Sequence, residues 1–134
     1  MKILHTMDVL ASALTAERTR MNVASSNLAN ARTTRGASGG PYQRREVTFS
    51  VMGGDSIENI GVKVEAVQPD GRPPRLEYDP GHPDANKDGY VAYPDISVVE
   101  EMVDMISASR AYEAGATAMN AAIGMAEQAL GIGR

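Results

Sequence analysis

The chain has 134 residues and a formal charge of −4, with 43% hydrophobic and 4% aromatic content. That is enough apolar material for one ordinary domain and too much for a wholly disordered chain, but one Phe, no Trp and eight Met make a poor single tight core. The absence of Cys excludes a disulfide framework and any thiolate chemistry.

The N-terminal segment MKILHTMDVLASALTAERTR predicts a helix from about Ile3 to Asn30. Met7, Leu14, Met21 and Leu28 recur every seven residues, and Leu10, Ala24 and Ala31 fill the intervening position, with Glu17 as the exception. That is a stripe of the coiled-coil kind. Asn30 is expected to cap the helix in the left-handed conformation that Asn tolerates. Asp8 interrupts any signal-peptide core, and no run approaches a membrane span. If the protein leaves the cytoplasm, a pathway without a cleaved signal must carry it.

The middle of the chain is turn-rich. All seven prolines lie between Pro41 and Pro94, and RTTRGASGG (32–40) reads as a flexible link. Val47, Phe49 and Val51 alternate with polar residues, as do Val62, Val64 and Ala66, predicting half-buried strands. Leu76 with Tyr78, and Tyr90 with Tyr93, suggest shorter extended pieces, for two to four strands in all.

A second helix is predicted from Ser97 to Leu130, opened by the capping pair Ser97 and Glu100 just after Pro94. Its stripe reads Val98, Met102, Met105, Ser109, Tyr112, Ala116, Met119, Ile123, Ala126, Leu130, alternating steps of four and three. Val99, Val103 and Ile106 widen the stripe near its start. The expected fold is mainly α with a small β part. Discontinuous terminal helices (1–31 and 95–134) form a coiled-coil-like assembly unit around a turn-rich, β-hairpin-like insertion (32–94). Isolated helices gain most of their stability by packing an apolar face, and these stripes are rich in Ala and Ser. Two such helices alone come out near marginal, so other subunits are expected to complete the burial.

Charge is uneven. Residues 1–45 hold seven basic and two acidic side chains, and residues 46–134 hold six and fifteen. Two readings follow: head-to-tail attraction between copies, or two solvated faces of one molecule. The acidic balance and the lack of basic–aromatic interleaving argue against nucleic acid. Asp84-Ala-Asn86-Lys-Asp88-Gly89 matches the first half of a calcium loop. Against it stand Asp95 in place of a bidentate Glu, Pro94 inside the loop, and DPGHP where a helix should enter. The alternatives are a calcium-binding module around Asp84–Gly89 and an Asn/Asp/Gly turn. His82 beside Asp79 and Asp84 reads as a turn histidine, and no nucleophile, phosphate-loop or metalloprotease motif occurs. No enzymatic activity, metal or cofactor is expected. Asn27, Asn30 and Asn120 lie on or beside the stripes, where a polar residue can fix register or simply be solvated.

SSNLANA (25–31) resembles a signature of the flagellar rod and hook proteins, and ASALTAERTRMNVA (11–24) is similar to the same family. GGPYQRREVTF (39–49) and the long run from Pro73 to Ala114 narrow the resemblance to the proximal-rod branch. It covers nearly the whole chain and is weakest from Met52 to Pro69. The resemblance implies a subunit of a hollow drive shaft, exported by the flagellar type III apparatus into the periplasm, with termini that order on assembly. Implied partners are copies of itself, other rod proteins, the rod-to-ring adaptor and the inner-membrane ring. By carry-over, Ser26–Asn30 and Val98–Tyr112 belong to assembly signatures. The assembly interface is therefore expected at Met7, Leu10, Leu14, Met21, Asn27, Leu28, Asn30, Val98, Met102, Met105, Ser109, Tyr112, Ala116, Met119 and Ile123. Gly115 and Met119 depart from the Asn and the aromatic common in the family at those positions. The same resemblance favours a structural turn at Asp84–Gly89.

Overall fold

The computed structural model describes residues 2–53 and 60–133. Two helices, α1 (Lys2–Ala29) and α2 (Val98–Ile132), flank four strands: β1 (Arg45–Met52), β2 (Gly61–Pro69), β3 (Arg75–Tyr78) and β4 (Tyr90–Tyr93). The helices span about 42 and 52 Å at 1.5 Å per residue. They pack antiparallel: Leu14 lies against Gly115, and Asn27 meets Glu101. Stepping twelve residues back from Leu14 reaches Lys2, and twelve on from Gly115 reaches Glu127, so α2 runs past the start of α1.

Ser97 caps α2 as its sequence predicts. Its backbone is extended, and its side chain accepts from the Glu100 amide. Glu100 and Glu101 in the first turn also suit the positive end of the helix dipole. Asn30 departs from expectation. No non-glycine residue among those described has a positive φ, so Asn30 does not end α1 in the left-handed form. Instead its side-chain amide donates to the Ser26 carbonyl at 2.9 Å, and its Oδ1 accepts from the Thr33 hydroxyl at 3.0 Å. A side-chain cap satisfies the orphaned helix end without the left-handed turn.

The insertion is two antiparallel hairpins, β1–β2 and β3–β4. In the first, Val47 faces Val67 and Phe49 faces Val64, with a bulge between Thr48 and Phe49. This hairpin lies on α1. The Ser12 hydroxyl donates to the Val9 carbonyl and accepts from the Val62 amide at 3.1 Å, and Gly61 permits that close approach. In the second hairpin Leu76 pairs with Ala92 and Tyr78 with Tyr90. Val91 and Tyr93 are buried, while Leu76, Tyr78 and Tyr90 are exposed.

The α1–α2 seam differs from the stripe read in the sequence. Facing inward on α2 are Glu101, Met105, Ala108, Tyr112, Gly115, Met119, Ala122 and Ala126, again in steps of four and three. Met105, Tyr112, Met119 and Ala126 are shared with the expected stripe. Glu101, Ala108, Gly115 and Ala122 replace Met102, Ser109, Ala116 and Ile123 at the seam's other positions. Small residues at seven-residue spacing let the helix backbones approach closely, and Glu101 is drawn in by polar partners. Val98 and Met102 therefore turn to solvent.

Candidate assembly surface and its polar anchor

At the β end of the helical pair sits a buried polar cluster. Asn27 and Glu101 are each only 1% exposed. A buried Asn can make four hydrogen bonds, two through each side-chain polar atom, and Asn27 makes all four. Its Nδ2 donates to the Arg45 carbonyl at 2.8 Å and to Glu101 Oε2 at 3.0 Å. Its Oδ1 accepts from the Arg45 amide at 3.0 Å and from the Tyr42 hydroxyl at 2.9 Å. Asn27 thus pairs with both backbone groups of Arg45, as a neighbouring strand would.

Glu101 uses its other oxygen on Arg44, whose Nε donates at 2.5 Å. Arg44 also reaches Asp70 at 3.2 Å, and Arg72 adds a second cation to Asp70 at 3.1 Å. Burial opposes the Arg44 charge, but the hydrogen bond and charge of Glu101, then those of Asp70, outweigh it and raise its pKa above the usual guanidinium value. One cluster therefore ties together α1, the entry to β1, the exit from β2, and α2. Arg20 pairs with Asp104 one turn further along α2.

Four of the seven bases in the first 45 residues are drawn to acids of the remainder. Arg20–Asp104, Arg32–Glu77, Arg35–Asp84, Arg44–Asp70 and Arg44–Glu101 each join a base from the first 45 residues to an acid from the remainder. The attraction acts inside one molecule, where the sequence suggested two separate faces or a head-to-tail contact.

The Asp84–Gly89 segment is a closed turn. The Asp84 carboxylate takes hydrogen bonds from the Thr34 hydroxyl and from Arg35, and these lower its pKa. Asn86 Oδ1 accepts from the amides of Asp88 and Tyr90, both at 2.9 Å. Gly89 has φ +82°, and the Tyr78 ring lies where a Cβ would stand. Of the oxygens that a calcium loop would aim at a cation, those of the Asp84 and Asn86 side chains and the Tyr90 carbonyl are engaged by the protein itself. His82 Nδ1 accepts from the Asp84 amide at 3.0 Å, as a turn histidine does.

The expected interface residues fall into three groups. Leu14 touches α2 at Gly115, and Asn27 belongs to the polar cluster. Met7, Leu10, Met21, Leu28, Asn30, Met105, Ser109, Tyr112, Ala116 and Met119 are half-buried. Val98, Met102 and Ile123 are exposed. With Val99 at 70% and Val103 at 62% exposure, and Ile106, the first of these form an apolar ridge on α2 that faces away from α1. At the other end of α2, Leu130 is 74% and Ile132 88% exposed. Exposed apolar patches of this kind mark interaction sites. Glu101, Arg44, Asp70 and Tyr42 were missed in the sequence. The signal that could have found Glu101 is its place at the head of a seven-residue repeat with Ala108, Gly115 and Ala122.

Two family profiles match the chain: Flagella basal body rod protein over residues 7–37, and Flagellar basal body rod FlgEFG protein C-terminal over residues 87–132. The first covers most of α1 and the second all of α2. The chain is 44% identical to the flagellar basal-body rod protein FlgC of Bacillus subtilis strain 168, covering 100% of both chains. It is 42% identical to FlgC of Escherichia coli O6:H1 and 41% identical to FlgC of Salmonella typhimurium LT2, each again over 100% of both chains.

Proposed function

Because the chain belongs to the FlgC family of flagellar basal-body rod proteins and is a structural subunit of that rod, we propose that it builds the proximal segment of a hollow drive shaft by packing its terminal helices against neighbouring subunits. The shaft transmits torque and passes later subunits through its channel. The subunit carries out no catalysis. Its neighbours are further copies of itself, other rod proteins, and the rod-to-ring adaptor or inner-membrane ring at the base. It reaches the periplasm through the flagellar type III export apparatus. No helix among the described residues is long and apolar enough to cross a membrane.

The observation that carries this reading is the ridge of Val98, Val99, Met102, Val103 and Ile106, which stays exposed after α1 and α2 have paired. Each such side chain would gain roughly 1.5–3 kcal/mol if fully buried. A seam unfinished in one molecule is a physical reason for a polymer. Met7, Leu10, Met21, Leu28, Ser109, Tyr112, Ala116, Met119 and Ile123, all half-buried or exposed, extend the proposed interface along both helices.

Val103→Asp and Ile106→Asp test it, because both positions are already solvent-facing and the monomer should tolerate the change. The expected result is a monomer with unchanged helicity by circular dichroism, together with loss of swimming and of assembled basal bodies. Normal motility in both variants would refute the ridge as an interface.

A further inference from the structure

We infer that the buried Asn27–Glu101–Arg44 cluster is a register pin, selecting one axial alignment of α2 on α1 among several that the rest of the seam would accept. Three observations carry this. The positions of α2 nearest α1 include Ala108, Gly115 and Ala122, equivalent small residues seven apart, which offer similar packing after a one-heptad slip. Opposite them the two most buried apolar residues of α1 are also small, Ala16 and Ala24. The segment between α1 and β1 spans residues 30–44, long enough that connectivity does not by itself fix where α1 sits along α2.

Glu101 breaks this degeneracy, whereas the other cross-helix ion pair, Arg20–Asp104, is partly exposed and weighs little in the choice. Only in the observed alignment does the Glu101 carboxylate meet both the Asn27 amide and the Arg44 guanidinium. A slip of one heptad strands a buried carboxylate and leaves Asn27 short of a partner, which disfavours the slipped states by about a hundredfold or more. A buried polar residue that fixes helix register at some cost in stability is a recognised device of coiled coils. Here the pin also sets how far α2 overhangs the start of α1 and where the exposed ridge of α2 stands relative to α1, and so the arrangement presented to any neighbour.

The chain has no Cys, so two introduced thiols report alone. Leu14→Cys is combined in turn with Gly115→Cys, Ala108→Cys and Ala122→Cys, and disulfide formation is followed in the purified chain. In the native alignment the 14–115 pair should dominate. Positions 108 and 122 lie about 10.5 Å along the helix from 115, beyond the roughly 7 Å reach of a disulfide. Arg44→Met with Glu101→Leu keeps the Asn27 bonds to Arg45 and should bring the three pairs to within about threefold of one another, helicity being retained. Moving the pin, with Glu101→Ala and Ala108→Glu, should shift the dominant crosslink from 115 to 122. A crosslink that remains at 115 in both backgrounds overturns the inference. So does loss of helicity in both, because the cluster would then build the helices instead of choosing between their alignments. The readout is within one chain, so it stands apart from whether the subunit polymerises.

Discussion

The two ends of the helical pair are built on opposite principles. At the β end Asn27, Arg44, Glu101, Asp70 and Tyr42 satisfy one another almost completely, and the backbone of Arg45 is closed into the same network. At the far end the seam is lined by Ala122 and Ala126, α2 overruns α1, and Leu130 and Ile132 stand in solvent. The polar network of the first end is complete within a single molecule, while the Val98–Ile106 ridge beside it stays exposed. The other end holds apolar surface that only a neighbour could cover. Buried polar groups demand particular partners, so they define one geometry. Small apolar residues accept many, so they leave geometry open to whatever packs on them.

The largest expected break comes at the complete end. Glu101→Leu leaves Asn27 and Arg44 without their buried acceptor, and should cost about 3–5 kcal/mol by urea denaturation. A cost below about 1 kcal/mol would mean that the β end is no more self-sufficient than the far end. Next is the middle of the seam. A Cβ at Gly115 would meet Leu14 Cδ2 at 3.0 Å. Gly115→Leu should therefore force the helices apart and destabilise the monomer by about 1–3 kcal/mol, read as a lowered melting temperature.

A smaller effect tests whether the Asp84 turn belongs to the complete end. Hydrogen bonds from Thr34 and then Arg35 hold the Asp84 pKa below its ordinary value. A carboxylate with a depressed folded pKa adds stability that is present above its unfolded pKa and is lost as pH falls through the folded one. Urea midpoints of the parent chain should therefore drop as pH falls below about 4, and Asp84→Asn should flatten that part of the profile. Identical profiles would show that the turn contributes nothing through this charge. The smallest effect is expected at the far end. Leu130→Ala should change monomer stability by no more than about 0.5 kcal/mol, yet reduce incorporation into basal bodies in a motile host. A large monomer effect would mean that this end is already packed.

Much of the architecture is legible in the sequence. Seven-residue repeats at both ends and prolines confined to 41–94 give helix, strands, helix, and Ser97 marks the start of α2 to the residue. The strand alternation at Val47–Val51 and Val62–Ala66 is matched by the β1–β2 hairpin. The inner face of α2 is less legible. A 35-residue helix with Val98, Val99, Met102, Val103 and Ile106 near its start carries two plausible seams one position apart. Hydrophobicity favours the one through Met102, and the structure takes the one through Glu101. Asn27 was noticed only as a polar residue on a stripe, because its partners Tyr42, Arg45 and Glu101 lie 15, 18 and 74 residues away.

The sequence by itself determined the periodicities, the breaks between them and the caps, because these depend on residues within one or two turns of each other. It also determined the likeness to rod subunits, carried by long runs in both helices. Only the tertiary structure decided which face of α2 turns inward, and that four bases of the first third pair with acids of the remainder within one molecule. Those outcomes depend on charges far apart along the chain finding partners at a few ångströms, and local propensity does not encode which distant group will be there.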